Sequence, residues 1–222
     1  MTEAWLIKEK APELALFAAI TAQEEASSAI IVSLQEKSYP GAERLDRHRH
    51  LHKVVVQRCL EAVLPTLTLP ANEGYIFGIE LDLGVRDYPL RLRIGTPDGK
   101  YMYPIPPLEA TLSINGQIYD FAEEFKQFAS EKNASDMRAY VKRRENERNR
   151  ILYASDKGIP STTISPDKIL PVSQDNVLRL LVACLFVDLY PRQSFVQQFL
   201  DAILGMLVKT QPQQAASNPE GK

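Results

Sequence analysis

All three histidines of the chain fall in one basic run, Glu43-Arg44-Leu45-Asp46-Arg47-His48-Arg49-His50-Leu51-His52-Lys53, where side chains that exchange protons near neutral pH are concentrated. On a continuous helix His48 and His52 share a face with Arg44 while His50 points elsewhere, so a three-histidine metal site is poorly supported. No nearby cysteine or carboxylate pair completes a ligand set, and neither a metal nor another cofactor is expected. Two environments stay open for these rings. His52 lies on an apolar seam between Leu45 and Val56, which suits a partly buried, hydrogen-bonded imidazole. Alternatively His52 or His48 lines a polar pocket with Arg148 and Glu25 and transfers protons there.

A second candidate group lies on a segment running from Asp136 to Tyr153. Its apolar stripe is Met137, Val141, Ile151 and Leu152, with Tyr140 at the edge. At about 100° per residue, Arg144 and Arg148 fall in the middle of that stripe. An inward guanidinium is costly unless it meets a carboxylate, a ligand or water, although a tilted helix or a snorkelling side chain gives the same pattern. Glu24 and Glu25 interrupt an otherwise aliphatic, alanine-rich helix and are the natural partners; a solvated helix edge is the alternative. Cations are also clustered. Arg44, Arg47, Arg49, Lys53 and Arg58 face Asp46 alone, and six basic residues between Arg138 and Arg150 face Glu145 and Glu147. Packed side by side, the two helices would expose a cationic strip able to hold phosphates, unless they are two unrelated solvated faces.

The elements that must position these groups follow from apolar periodicity. Leu16, Ala19, Ile20, Ile30, Ile31 and Leu34 recur at helical spacing after Pro12, which suits a first turn. Tyr39-Pro40-Gly41 stops that helix, and a second opens at Glu43 and carries Leu45, Leu51, His52, Val55, Val56, Cys59, Leu60 and Val63 until Pro65. The short link predicts an antiparallel helical hairpin. The period then changes to two. Tyr75, Phe77, Ile79, Leu81 and Leu83 share one side, Leu90 to Ile94 alternates likewise, and Asn115-Gly116 is a type I′ hairpin turn. A small antiparallel sheet of four or five strands is expected, its apolar face covered by the bundle or by a second subunit. Helical signals resume at Asp120, a cap completed by Glu123, and after a loop over 158 to 172 Ser173 caps a buried helix that Pro191 ends. Phe195 to Val208 is a last amphipathic helix.

The 222 residues therefore read as α+β, mainly α: an antiparallel helical bundle over 1–70 and 120–210, a β-rich insertion over 71–119, and a disordered polar tail over 211–222. A net charge of −2 excludes a globally basic nucleic-acid binder and leaves local patches to carry any such role. Cys59 and Cys184, one on each of two apolar faces, suit reduced thiols in the cytoplasm. The N-terminus lacks a signal-peptide pattern, and the most apolar segment, Val177 to Tyr190, is shorter than the ~20 residues of a membrane span and contains Arg179 and Asp188. No membrane partner is expected.

Gln23-Glu24-Glu25-Ala26 in a first helix, the His52-Lys53 pair in a basic second one, and Arg148-Asn149-Arg150-Ile151-Leu152-Tyr153 before Gly158-Ile159-Pro160 form a combination that resembles the abortive-infection V group of HEPN-like proteins. The resemblance covers roughly residues 12 to 64 and 136 to 160. It implies a helical bundle, usually dimeric, and in many members a metal-independent ribonuclease whose site is an Arg, commonly followed by Asn, with a His four to six residues on. Arg148 and Asn149 match the start of that motif, and Tyr153 stands where the His belongs. Arg47 to His52 and Arg44 to His50 also fit the spacing. The resemblance thus implies catalytic roles for Arg148, Asn149 and Tyr153 or His52, and the residue patterns above add Glu24, Glu25, Arg44, His48, Lys53 and Arg144 as binding candidates around them. The expected function is RNA binding or cleavage in a phage-defence or toxin–antitoxin setting, by a homodimer with a further protein partner on the β insertion. The alternative is a non-catalytic dimeric binding or scaffold protein.

Overall fold

The computed structural model describes residues 1–64, 74, 76–82, 84, 89–111, 113, 114, 116–152 and 165–210, with only the backbone given at 114, 145, 147, 148, 150–152 and 208–210. The chain is mainly helical, with a small antiparallel sheet. Helix α1 (Thr2–Ile7) leads into α2 (Pro12–Glu36), whose proline occupies the first turn, where its missing N–H has no helical partner to lose. Gly41 closes the link that follows. Its φ of +87° favours glycine, and a Cβ there would lie 2.6 Å from Leu204 Cδ1, so the tip of that leucine on the last helix would also have to shift.

The second helix does not open at Glu43. A 3₁₀ turn spans Ala42–Arg44, Leu45 is extended, and α3 runs His50–Val63. Local hydrogen bonds explain the delay. Gln35 Nε2 donates to the carbonyls of Ala42 (3.2 Å) and Leu45 (2.7 Å), Asp46 Oδ1 accepts the His48 N–H (2.8 Å), and His52 Nδ1 accepts the Asp46 N–H (2.8 Å). These contacts offer the backbone of residues 42–48 better partners than an extra helical turn would.

Helix α3 returns antiparallel to α2. The main core between them holds Ile31, Leu34, Val55, Val56 and Cys59, and is completed by Met137 and Val141 of α5 (Met137–Leu152) and by Leu200 and Ile203 of α7 (Ser194–Thr210). Helix α4 (Ala122–Glu131) starts beyond the expected cap: Asp120 Oδ1 accepts the Ala122 N–H (3.0 Å), but Glu123 pairs outward with Lys126. Phe121 takes the capping position in the left-handed region, its ring fully buried edge-on to Tyr119, Phe195 and Phe199.

Helix α6 (Pro166–Asp188) differs most from expectation. It starts at Pro166 rather than at Ser173, because Pro166 fits a first turn and Pro171 forgoes only one early helical bond. Ser173 is therefore not a cap; it is buried inside the helix and accepts a hydrogen bond from Gln23 Nε2 at 3.0 Å. Ser33 likewise meets Cys184 at 3.4 Å, so α6 runs parallel to α2, its most extensive neighbour. Nor is α6 fully buried: Leu178, Leu181 and Leu185 form an exposed stripe. Both α2 and α6 are long and apolar enough to cross a membrane by length and composition alone.

The insertion forms two sheets instead of one. Strands β1 (Ile76–Leu81), β2 (Leu90–Gly95) and β3 (Tyr101–Met102) pair antiparallel in that order, and among the described residues β4 (Ser113–Ile114) pairs only with β5 (Gln117–Ile118). The apolar face is covered along β2, not along β1. Leu90 packs against Phe186 and Tyr190, whose hydroxyl donates to the Leu90 carbonyl, whereas Ile79 and Leu81 remain 52% and 58% exposed. Tyr75 and Leu83 lie outside the described residues. The covering of the β1 face expected from its alternation is thus not supplied by the described bundle.

One buried amide joins insertion and bundle. Gln193 Oε1 accepts the Leu108 N–H (2.8 Å), its Nε2 donates to the Phe186 carbonyl (2.8 Å), and its own N–H donates to the Tyr39 hydroxyl (2.9 Å). Gln193→Met keeps the volume but abandons two buried backbone groups. It is expected to lower the unfolding free energy by about 2–4 kcal/mol, seen as a lower urea midpoint at unchanged slope. A loss below about 0.5 kcal/mol would show that the amide does not hold the two parts together.

Candidate functional site

Helices α2 and α3 meet along a seam of polar groups within an otherwise apolar interface. At its closed end Gln23 Nε2 donates to Ser173 Oγ and to the Ala19 carbonyl (3.3 Å), and Gln57 Nε2 donates to Gln23 Oε1 and to Glu61 Oε1 (3.2 Å). Arg58 Nη1 lies 2.7 Å from both oxygens of Glu61, and its guanidinium sits 5.8 Å from the ring centre of Tyr140 on α5. Gln23, Ser27, Gln57 and Arg58 are all buried; these bonds, with that of Ser27 Oγ to the Gln23 carbonyl (2.9 Å), replace the water they lost except at Arg58 Nε, which has no hydrogen-bond partner among the described residues.

Toward its open end the seam becomes ionic. His50, the first residue of α3, places Nδ1 3.0 Å from Glu24 Oε1, with the two side chains 16% and 11% exposed. The approach satisfies the distance but not the direction of a hydrogen bond, and the buried Nε2 has no hydrogen-bond partner among the described residues. One turn further along α3, Lys53 Nζ lies 3.3 Å from Glu25 Oε1, whose carboxylate is largely exposed. A carboxylate–imidazole pair beside a carboxylate–ammonium pair can orient a ring nitrogen and present positive charge to an anion.

The remaining candidates divide by location. His52 is buried, and its Nδ1 is occupied by the Asp46 N–H, which corresponds to the hydrogen-bonded environment rather than the proton-transferring one. Burial, aided by the charge of Arg49 and opposed by Asp46, holds its pKa below the ordinary histidine value. Arg44 and His48 do not share a helical face with His52, because one ends the 3₁₀ turn and the other lies in the following turn; both are exposed. Arg144 is half-buried and Asn149 exposed on α5. Arg148 lies on α5 with its side chain outside the described residues, as is the whole of Tyr153.

Two cations of the expected strip are engaged within the fold. Helices α3 and α5 do pack together, but Arg58 turns inward to Glu61, and Arg143 folds back onto α4, donating to the Lys132 and Asn133 carbonyls. Arg44, Arg47 and Arg49 stay exposed in the turn that leads into His50 at the start of α3. Among the described residues no cluster of three or more His, Cys, Asp or Glu side chains could hold a metal ion. A cleft of about 480 Å³ lies at the turn of the hairpin, lined by Gln35, Ser38, Tyr39, Pro40, Ala42 and Glu43, none of them in the seam.

Sequence reasoning missed His50, Gln23, Gln57 and Glu61. The available signal was spacing: His50 and Lys53 lie about one turn apart on any helix that contains both, and they meet the adjacent Glu24 and Glu25. Comparisons of the chain with protein-family models, curated proteins and solved structures find no match.

His52 supplies a pH test of the turn. Its lowered pKa means that folding favours the neutral ring, so the unfolded chain takes up a proton more readily. Its contribution to stability is complete above about pH 6.5 and is lost as pH falls below that value. Unfolding free energies measured between pH 7.5 and 5 should decline less steeply in His52→Asn than in wild type. Parallel curves would mean that His52 does not titrate with folding.

Proposed function

We propose that the protein is a cytoplasmic, HEPN-like homodimer that binds RNA, and cleaves it without a metal, in a phage-defence or toxin–antitoxin type system. The observation that carries this reading is the meeting of Glu24 with His50 and of Glu25 with Lys53 at the cation-flanked mouth of the α2–α3 seam. Helix α5, which bears Arg148 and Asn149 of the degenerate Arg-Asn-x-x-x-Tyr motif, packs on both α2 and α3. In the reaction the ribose 2′-oxygen attacks the adjacent phosphorus and the bond to the 5′-oxygen breaks, leaving a 2′,3′-cyclic phosphate and a 5′-hydroxyl. Arg148 stabilises the charge on the phosphate, and His50, set beside Glu24, transfers the proton in place of His52, whose Nδ1 is taken by the Asp46 N–H. Tyr153 stands as the alternative proton carrier that the motif spacing implies.

A second reading, a non-catalytic dimeric binding or scaffold protein, is favoured by the exposed stripe of Leu178, Leu181 and Leu185 on α6. Incubating wild type, Arg148→Ala and His50→Ala with single-stranded RNA, and measuring both cleavage and binding, separates the two. Ribonuclease function predicts cyclic-phosphate products that fall at least about 100-fold in either variant, with His50→Ala still binding RNA. Binding without cleavage by wild type supports the second reading, and cleavage indifferent to both substitutions removes these residues from the site.

A further inference from the structure

The β insertion carries a second arrangement that the seam does not use. Alternation along β1 and β2 sends Glu80, Asp82, Arg91 and Arg93 to the face opposite the one Leu90 buries against α6. There Arg93 pairs with Glu80 at 2.9 Å and Arg91 with Asp82 at 3.8 Å, so the charges cancel within the face. The Arg93 guanidinium lies 5.0 Å from the ring centre of Tyr101, and the Tyr103 hydroxyl donates to Glu80 Oε2 at 3.3 Å. The two rings are nevertheless 58% and 42% exposed. Gly78 and Gly95 belong to the same face. A Cβ at Gly78 would press on the Arg93 guanidinium at 3.3 Å, and one at Gly95 would meet Tyr101 Cε1 at 3.4 Å. Glycine inside a strand sacrifices stability and often marks a place where a ligand comes close to the backbone.

We infer that this face, with Tyr101, Tyr103 and Arg93, is a stacking platform for the unpaired bases of single-stranded RNA. The occupant follows from the chemistry. Two exposed rings and a guanidinium plane set beside bare backbone offer flat π-surfaces, and every base presents a matching one. The internally neutralised charges give a phosphate chain little to hold, so this face recognises bases while the cations at the seam hold phosphate. Glu80 keeps the platform flat by fixing both the Arg93 guanidinium and the Tyr103 hydroxyl. The inference rests on the proposed RNA function and assigns its base contacts to the insertion.

The test uses the full chain and fluorescence anisotropy with a labelled 12-nucleotide single-stranded RNA, alongside an oligonucleotide of equal length carrying several abasic positions. Wild type should bind the abasic strand at least about tenfold more weakly. Tyr101→Ala with Tyr103→Ala should lose a similar factor toward the intact strand, whereas Tyr101→Phe with Tyr103→Phe should retain binding, since phenylalanine keeps the ring. The salt dependence should be alike for all three proteins, because phosphate contacts lie elsewhere. Equal affinity of wild type for intact and abasic strands, or unchanged binding by a folded double-alanine variant, would overturn the platform and leave the RNA function standing. Failure of wild type to bind any single-stranded RNA would overturn the RNA function and the platform with it.

Discussion

The hydrogen-bonded turn between α2 and α3 is the constraint on which the rest of the arrangement depends. Gln35 holds the carbonyls of Ala42 and Leu45, and Asp46 is tied to both His48 and His52, so residues 42 to 49 cannot extend α3 backward. Starting α3 at His50 sets its register against α2, and that register opposes His50 to Glu24 and Lys53 to Glu25. Starting it near Glu43 would instead have put Arg44, His48 and His52 on one face. A few local bonds to backbone thus select which histidine meets a carboxylate and which becomes part of the scaffold.

The seam these helices enclose costs something to bury. Arg58 with Glu61 is an ion pair withdrawn from water, and Gln23 and Gln57 carry amides into the interior. Such groups contribute little net stability against apolar residues of the same size, but leaving any one partner unpaired is expensive. Their effect is to penalise sliding: a displaced α2 would break the Gln23 bonds to Gln57 and Ser173 together, and a displaced α3 or α6 would break one of them. The apolar core supplies the drive to collapse, while the seam discriminates between registers. In that way a deep structural network keeps the ionic mouth of the site aligned.

The insertion obeys a different logic. A small sheet needs cover, and it gains this along β2 through Leu90, Phe186 and Tyr190, with Gln193 linking its trailing segment to the turn after α6. Glu109 reinforces the junction by accepting from the Ser194 N–H (3.2 Å) and hydroxyl (2.7 Å) at the start of α7. Anchored on one side, the sheet leaves Ile79 and Leu81 outside on one face and Tyr101 and Tyr103 on the other. The insertion is therefore firmly attached yet presents surface in two directions.

Periodicity by itself determined the helical bundle, the break at Tyr39-Pro40-Gly41 and the presence of antiparallel strands between 76 and 118, and it singled out Glu24, Glu25 and the basic histidine run as candidates. The bundle, the break and the strands are encoded over a few consecutive residues, through spacing, proline and glycine geometry and turn chemistry. Tertiary structure decided that α3 begins at His50, that Ser173 lies inside a helix starting at Pro166, that Arg58 and Arg143 turn away from the cationic strip, and that β2 rather than β1 meets the bundle. Some of those outcomes depend on partners far away in the chain, such as Gln23 for Ser173 or Tyr190 for Leu90, and others on nearby side chains that apolar spacing does not pair, such as Gln35 and Asp46 at the start of α3 or Glu61 for Arg58. A side chain's local pattern says which environments it tolerates, but the choice among them is made by whichever distant donor, acceptor or ring packing brings into reach.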